Sequence, residues 1–213
     1  MNGLKQKTHK GAHDPLGFDA IVREVFAPIY PVIASQIIQQ TQMTRGVCLD
    51  AGCGTGALGR AMAQQSGCDV TFFDQSEKML ELARGYAEEE AITARSRFVQ
   101  GDIHDIPLPS ESVDLVVSRG SSPFWDDQKL AYGEILRVLR RGGRAYVGGG
   151  FGNAALREQI VSTMLEREPN WEERFKNRSR SMRNALPEIL ESLHPASFEI
   201  INDESGFWAH ITK

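Results

Sequence analysis

The chain has 213 residues, with 24 Lys and Arg against 28 Asp and Glu, a formal net charge of −4 that argues against a dedicated nucleic-acid binder. Hydrophobic residues make up 41% and charged residues 24%, which excludes the composition of a disordered chain and predicts a folded core. No stretch approaches the roughly 18 apolar residues of a membrane span, and the opening MNGLKQKTHK has no apolar leader segment, so a cytoplasmic protein without a membrane partner is expected.

In chain order, residues 1–17 are polar and read as a mobile tail. From Phe18 to Gln40 apolar residues recur at helical spacing, interrupted by Pro28 and Pro31, which predicts two helices or one bent one. An alternation follows: strand 46–51, helix 55–65, strand 69–73, helix 77–90, strand 97–100, strand 113–118, helix 128–139 and strand 144–147. Strands alternating with helices imply βαβ units and a parallel sheet covered on both faces. A polar helical stretch over 154–193, broken at Pro169 and Pro187, leads to strands 197–202 and 207–212. Only DESG, 203–206, separates these two, a hairpin length, so the last strand should run antiparallel to the rest.

Glycine is in excess, 20 of 213 or roughly 9% where about 7% is usual. Eleven of the 20 fall within 46–59 and 142–152, so the excess marks two places. In the first, Gly52, Gly54 and Gly56 follow a strand and precede a helix, a turn that lets a ligand approach the bare backbone. Two cofactor classes suit such a loop. Gly52-x-Gly54-x-x-Ala57 satisfies the dinucleotide fingerprint, and Asp50-x-Gly52-x-Gly54-x-Gly56 satisfies the acidic loop of S-adenosylmethionine (SAM) enzymes. Asp50 separates them, because a carboxylate suits the cationic methionine end of SAM and repels an anionic pyrophosphate. Asp74, at the end of the second strand, is placed for ribose hydroxyls in either class. Cys48, Cys53 and Cys68 lack CxxC spacing and are odd in number, so they are read as reduced thiols.

Further segments make the sequence resemble the class I SAM-dependent methyltransferase superfamily. The run Asp74, Ser76, Met79, Leu80, Ala83 and Arg84 matches that family's D-x-S-x-x-M-L-x-x-A-R. Gly101, Asp102, Ile106, Pro107, Leu108, Pro109, Ser112, Val113 and Asp114 match its next motif, and Glu134, Arg137, Val138, Leu139, Gly142 and Gly143 its E-x-x-R-V-L-K-P-G-G turn, with Arg141 in place of proline. The resemblance implies a Rossmann-like α/β fold with a seven-stranded, mostly parallel sheet of order 3-2-1-4-5-7-6 and strand 7 antiparallel. It implies SAM as cofactor, with S-adenosylhomocysteine (SAH) as product. The implied cofactor contacts are Asp50, Ala51, Gly52, Cys53, Gly54, Gly56, Asp74, Gln75, Met79, Gly101, Asp102, Ile103 and Ser118, with Tyr30 on a lid helix. Asp102 would meet the adenine amino group and Ile103 the adenine face. One methyltransferase domain over 1–213 is expected: tail 1–17, lid helices 18–45, cofactor core 46–150, and substrate-side helices with a terminal hairpin over 151–213.

Ligands of such sheets bind beyond the carboxyl ends of the strands, where SRGSSPFWDD (118–127) and GGGFGN (148–153) lie. Phe124, Trp125, Phe151, Phe207 and Trp208 are therefore candidates to line one acceptor mouth, or else cap a core under helices. Arg119 beside them is a candidate clamp for a carboxylate or phosphate, or a partner for Asp126 or Asp127. His104 is a candidate substrate contact or base, or a residue at the adenine edge. No metal is expected, Asp102 of the Asp102, His104 and Asp105 group being committed to adenine. The expected activity is methyl transfer to a small-molecule acceptor by in-line displacement, by a monomer or homodimer. The alternatives are a non-catalytic SAM-binding scaffold and an NAD(P)-dependent reductase.

Overall fold

The computed structural model describes residues 14–213. Most of the expected tail, residues 1–13 with His9 and His13, lies outside the described residues. Helix α1, Pro15–Ile21, begins inside the segment read as tail: Asp14 accepts the Leu16 N–H at 3.2 Å and Pro15 occupies the first turn. A π-helical turn, Val22–Phe26, carries it on, and α2, Ile29–Thr41, leaves at 75° after Pro28. Pro31 does not break α2, because it sits in the first turn, where no intrahelical donor exists to lose.

Seven strands form one sheet: β1 Arg45–Ala51, β2 Gly67–Asp74, β3 Ser96–Gln100, β4 Val113–Arg119, β5 Leu139–Gly150, β6 Ser197–Asp203 and β7 Gly206–Thr212. Their order is β3-β2-β1-β4-β5-β7-β6, the first five parallel and β7 antiparallel to both β5 and β6, as the family resemblance implies. The chain switches direction across the sheet between β1 and β4, which opens a crevice at their carboxyl ends. Helices α3 (Ala57–Gln65), α4 (Glu77–Glu89), α5 (Gln128–Val138), α6 (Ala154–Arg167) and α7 (Trp171–Leu193) connect them.

Strand periodicity divides the core in two. Cys48, Phe72, Leu115, Tyr146 and Trp208 face α2, α3 and α6, while their neighbours Leu49, Phe73, Val116, Val147 and Phe207 face α5 and α7. Pro187 lies inside α7 without breaking it; Leu186 and Leu190 on either side are fully buried on the sheet, and this packing offsets the lost backbone bond. The Gly142–Gly143 turn expected ahead of the fifth strand is instead an irregularity within β5: between the pairs Val113–Leu139 and Leu115–Arg144 the two strands fall out of step.

Beyond it, Gly148 and Gly150 pair with β7 so closely that side chains are excluded, while a Cβ on Gly149 would make only ordinary contact with Gly120. A Cβ on Gly148 would lie 2.1 Å from the Phe207 carbonyl oxygen, and one on Gly150 would lie 1.9 Å from that of Ser205. A run of three glycines here suits either bare backbone for a ligand or tight packing against the hairpin, and Gly148 and Gly150 take the second. Gly148→Ala is expected to lower stability by about 1–3 kcal/mol. Gly85→Ala, in an α4 site with nothing within 4 Å, is expected to raise it by roughly 0.5–1 kcal/mol. Denaturant titration of both variants checks the pair of opposite signs.

Candidate active site

The loop from β1 to α3 is held in a shape that only glycine adopts readily. Gly52, Gly54 and Gly56 have φ of +67°, +53° and +77°. Their surroundings leave no room either: a Cβ on Gly52 would meet Ser121 Cβ at 2.5 Å, and one on Gly56 would meet the Phe72 ring at 3.0 Å. The Gly52 and Cys53 amides both donate to the Phe73 carbonyl, at 2.8 and 3.0 Å. Two strand-end carboxylates fix the rest. Asp74 accepts the Gly54 N–H through Oδ2 and the Ser76 N–H through Oδ1, each at 2.9 Å. Asp50 accepts the Gly59 N–H in α3 at 2.8 Å. Burial pushes the Asp50 carboxyl up to about 7, opposed by the Gly59 N–H and reinforced by the charge of Asp74. Burial likewise raises Asp74, against the N–H groups of Ser76 and Gly54.

The neighbouring strand ends complete the crevice. Ser118 is fully buried, its Oγ 2.6 Å from Ser121 Oγ, which also reaches the Ala51 carbonyl at 3.2 Å. Ser121 therefore locks the β4 loop onto the glycine loop. Beyond β3, Gly101 donates to the Asp74 carbonyl at 3.1 Å, Ile103 is buried, and the Asp102 side chain is 65% exposed. Asp102 Oδ1 accepts the His104 N–H at 2.9 Å and lies 2.5 Å from His104 Nδ1. His104 Nε2 accepts the Asp127 N–H at 3.1 Å, which assigns the ring proton to Nδ1. With both nitrogens engaged, His104 ties the β3 loop to the β4 loop and is not posed as a base. Gln75 is exposed at the start of the following turn, its carbonyl accepting from Gln100 at 3.1 Å, and Met79 is half-buried in α4. Cys53 Sγ lies 3.4 Å from the Gly54 carbonyl, and burial pushes its thiol well up. Among the described residues, no group of three or more His, Cys, Asp or Glu is placed to hold a metal ion.

Of the two readings of the five aromatics, one mouth or a core under helices, the structure does not gather them at one mouth, because adjacent strand residues face opposite ways. Trp208 is fully buried against Tyr146, ring centroids 5.0 Å apart, and Phe207 lies on the other face under Arg183 at 4.8 Å. Trp125 packs on Tyr132 at 5.5 Å on that second face, and Phe124 is 50% exposed. A different group gathers beyond the end of β4: Phe26, Phe151 and Trp171, with centroids 6.2–6.5 Å apart. Arg119 joins it, its guanidinium 4.8 Å from the Phe26 ring and 5.5 Å from Tyr30, with Nε and Nη2 donating to the Gly150 carbonyl at 3.3 and 3.2 Å. Arg119 pairs with neither Asp126 nor Asp127. Tyr30 is buried at the start of α2, and burial raises its hydroxyl against the pull of Arg119.

Sequence reasoning missed Ser121, Gly59, Phe18, Phe26 and Trp171. Phe18 covers the loop from α1, 3.3 Å from where a Gly54 Cβ would be, and α1 is fastened by the Tyr86 hydroxyl donating to Asp19 at 2.6 Å. Ser121 was the readable one: it stands in the segment after β4, which by topology borders the β1 loop.

This sheet order, with a glycine loop after β1 and acids at the ends of β2 and β3, defines the Rossmann-like methyltransferase fold. Residues 49–147 match the family model described as a methyltransferase domain. A proposed SAM-dependent methyltransferase of Methanococcus maripaludis, known from a crystal structure, is 39% identical, with a TM-score of 0.90 over 100% of this chain and 97% of that one. The chain belongs to the SAM-dependent methyltransferases. It is also 40% identical over 95 residues to a malonyl-[acyl-carrier protein] O-methyltransferase of Pectobacterium atrosepticum, covering 45% of this chain and 35% of that protein. A sterol 24-C-methyltransferase of Gibberella zeae is 36% identical over 95 residues, covering 45% and 25%. The chain thus spans about a quarter to a third of the length of the curated relatives it matches.

The residues present fit SAM, the family's cofactor. The Asp74 carboxylate, at the end of β2 beside the glycine loop, has lone pairs beyond those used by Gly54 and Ser76. Asp50 gives the site a pH signature. Its folded pKa lies above the ordinary value of 3.8, so the stability linked to its protonation is full below that value and is lost as pH rises through about 7. Asp50→Asn keeps an acceptor for Gly59 and removes this loss. We expect the variant to gain on the wild type between pH 5 and pH 8, by a few kcal/mol at most, in ligand-free thermal melts. A pH-independent difference would contradict the assignment.

Proposed function

We propose that this chain transfers a methyl group from SAM to a small-molecule acceptor by in-line displacement, acting mainly through positioning. What carries the reading is the glycine loop fixed by Asp50 and Asp74, in a chain that belongs to this family. When bound, SAM supplies a methyl group already activated on a sulfonium. The chain's own part is to hold the nucleoside and exclude water. Asp74 accepts from the ribose hydroxyls, Asp102 meets the adenine amino group, and Ile103 packs on its face. The loop Gly52–Gly56 borders the amino-acid end, and Tyr30 and Phe18 close over it from the N-terminal helices.

The acceptor side is the less shared part. The family match ends at residue 147, and the relatives act, by their names, on a carbon of a sterol and an oxygen of malonyl-[acyl-carrier protein]. The proposal takes the protein as a cytoplasmic monomer or homodimer that acts without nucleic acid or membrane. Its support is the net charge of −4, the three free thiols, and the fact that no single helix among the described residues is long and apolar enough to cross a membrane.

Ligand-induced thermal stabilisation tests the cofactor. SAH at 100 times its dissociation constant contributes about 2.7 kcal/mol, or roughly 5–10 °C for a chain of this size. We expect that shift with SAH and none with NADH, together with transfer of labelled methyl from SAM into a metabolite extract. A shift with NADH alone would refute the cofactor. SAH binding without transfer to any extract would favour a non-catalytic scaffold.

A further inference from the structure

Arg119 carries a charge that no carboxylate among the described residues answers. It is half-buried at the carboxyl end of β4, with Phe26 and Tyr30 against its guanidinium. Two of its N–H groups share one carbonyl, that of Gly150, and the Tyr30 hydroxyl lies beside it. It forms no ion pair with a carboxylate of any described residue. Three other half-buried arginines are treated differently. Arg60 meets Glu90, Arg137 meets Glu134, and Arg95 spends its guanidinium on three carbonyls, those of Ala63, Ser66 and Cys68. A partly desolvated cation without a counter-ion is costly, and a planar fork of donors matches a carboxylate.

Its position says where the missing anion comes from. Arg119 follows Ser118 and precedes Ser121, the two hydroxyls that lock this loop onto Gly52 and the Ala51 carbonyl. It therefore stands where β1 and β4 part, beside the cofactor loop and below the Phe26, Phe151 and Trp171 rings. We propose that Arg119 is the carboxylate receptor of the site. This inference rests on the methyltransferase reading. Within that reading a carboxylate has two sources, the amino-acid end of the cofactor and an anionic acceptor.

Titration calorimetry with two thionucleosides separates them: SAH, and 5′-methylthioadenosine, which lacks the amino-acid end. If the cofactor supplies the carboxylate, Arg119→Gln weakens SAH at least tenfold and leaves methylthioadenosine unchanged, and Arg119→Lys recovers part of the loss. If the acceptor supplies it, neither nucleoside changes. Benzoate then raises the melting temperature of SAH-loaded wild type but not of Arg119→Gln, and neutral benzamide raises neither. Equal weakening of both nucleosides with a lowered melting temperature would make Arg119 a structural tie to Gly150 and overturn the proposal. So would unchanged nucleosides with no distinction between benzoate and benzamide. A wild type that binds neither nucleoside would instead overturn the methyltransferase reading, and the two failures are distinguishable.

Discussion

Two carboxylates at adjacent strand ends hold the loop on which the rest of the site is built. Asp74 grips the Gly54 amide and Asp50 the Gly59 amide, so a left-handed backbone with little preference of its own is fixed at both ends. Hydrogen bonds to a charged group contribute roughly 1.5–3 kcal/mol each, which is enough to hold such a loop against its conformational freedom. Burial works against the same carboxylates by disfavouring their charge, most at Asp50. Two neighbouring acids under that cost are hard to explain by stability alone, and a bound cation at the amino-acid end of the proposed cofactor would relieve it.

From this loop the contacts spread outward. Ser121 reaches Gly52 and brings the β4 loop with it; Phe18 reaches Gly54 and brings α1. His104 then joins the β3 loop to the β4 loop through the Asp127 amide. The ends of β1 through β4 are thereby tied to one another by side chains. Removing any one glycine of the loop would disturb a contact to a different element.

The sheet was legible in the sequence because its signals are local. Strand-helix alternation gives a parallel sheet and the DESG hairpin the antiparallel last strand, the strand order follows from the family resemblance, and the glycine loop with Asp50 and Asp74 is a pattern within about 25 residues. Proline was the weak signal: Pro31 and Pro187 look alike as helix breakers, but the first falls in a turn that needs no donor and the second is carried by buried leucines. The acceptor side was not legible. Phe26, Phe151 and Trp171 meet from distant parts of the chain, and the Phe207–Trp208 pair is split between two faces by strand geometry that a run of aromatic letters hides.

Cofactor and acceptor halves therefore rest on different grounds. The loop, Asp74 and Asp102 belong to the segment shared with the family, while the rings around Arg119 come largely from the two ends of the chain. The most direct test of the shared half is the affinity of SAH for Asp74→Asn by titration calorimetry. With the fold retained, we expect binding at least tenfold weaker than wild type, since the amide has one acceptor oxygen fewer than the carboxylate to share between the Gly54 and Ser76 amides and the ribose hydroxyls of the proposed complex. Unchanged affinity would contradict the placement of the cofactor on this loop.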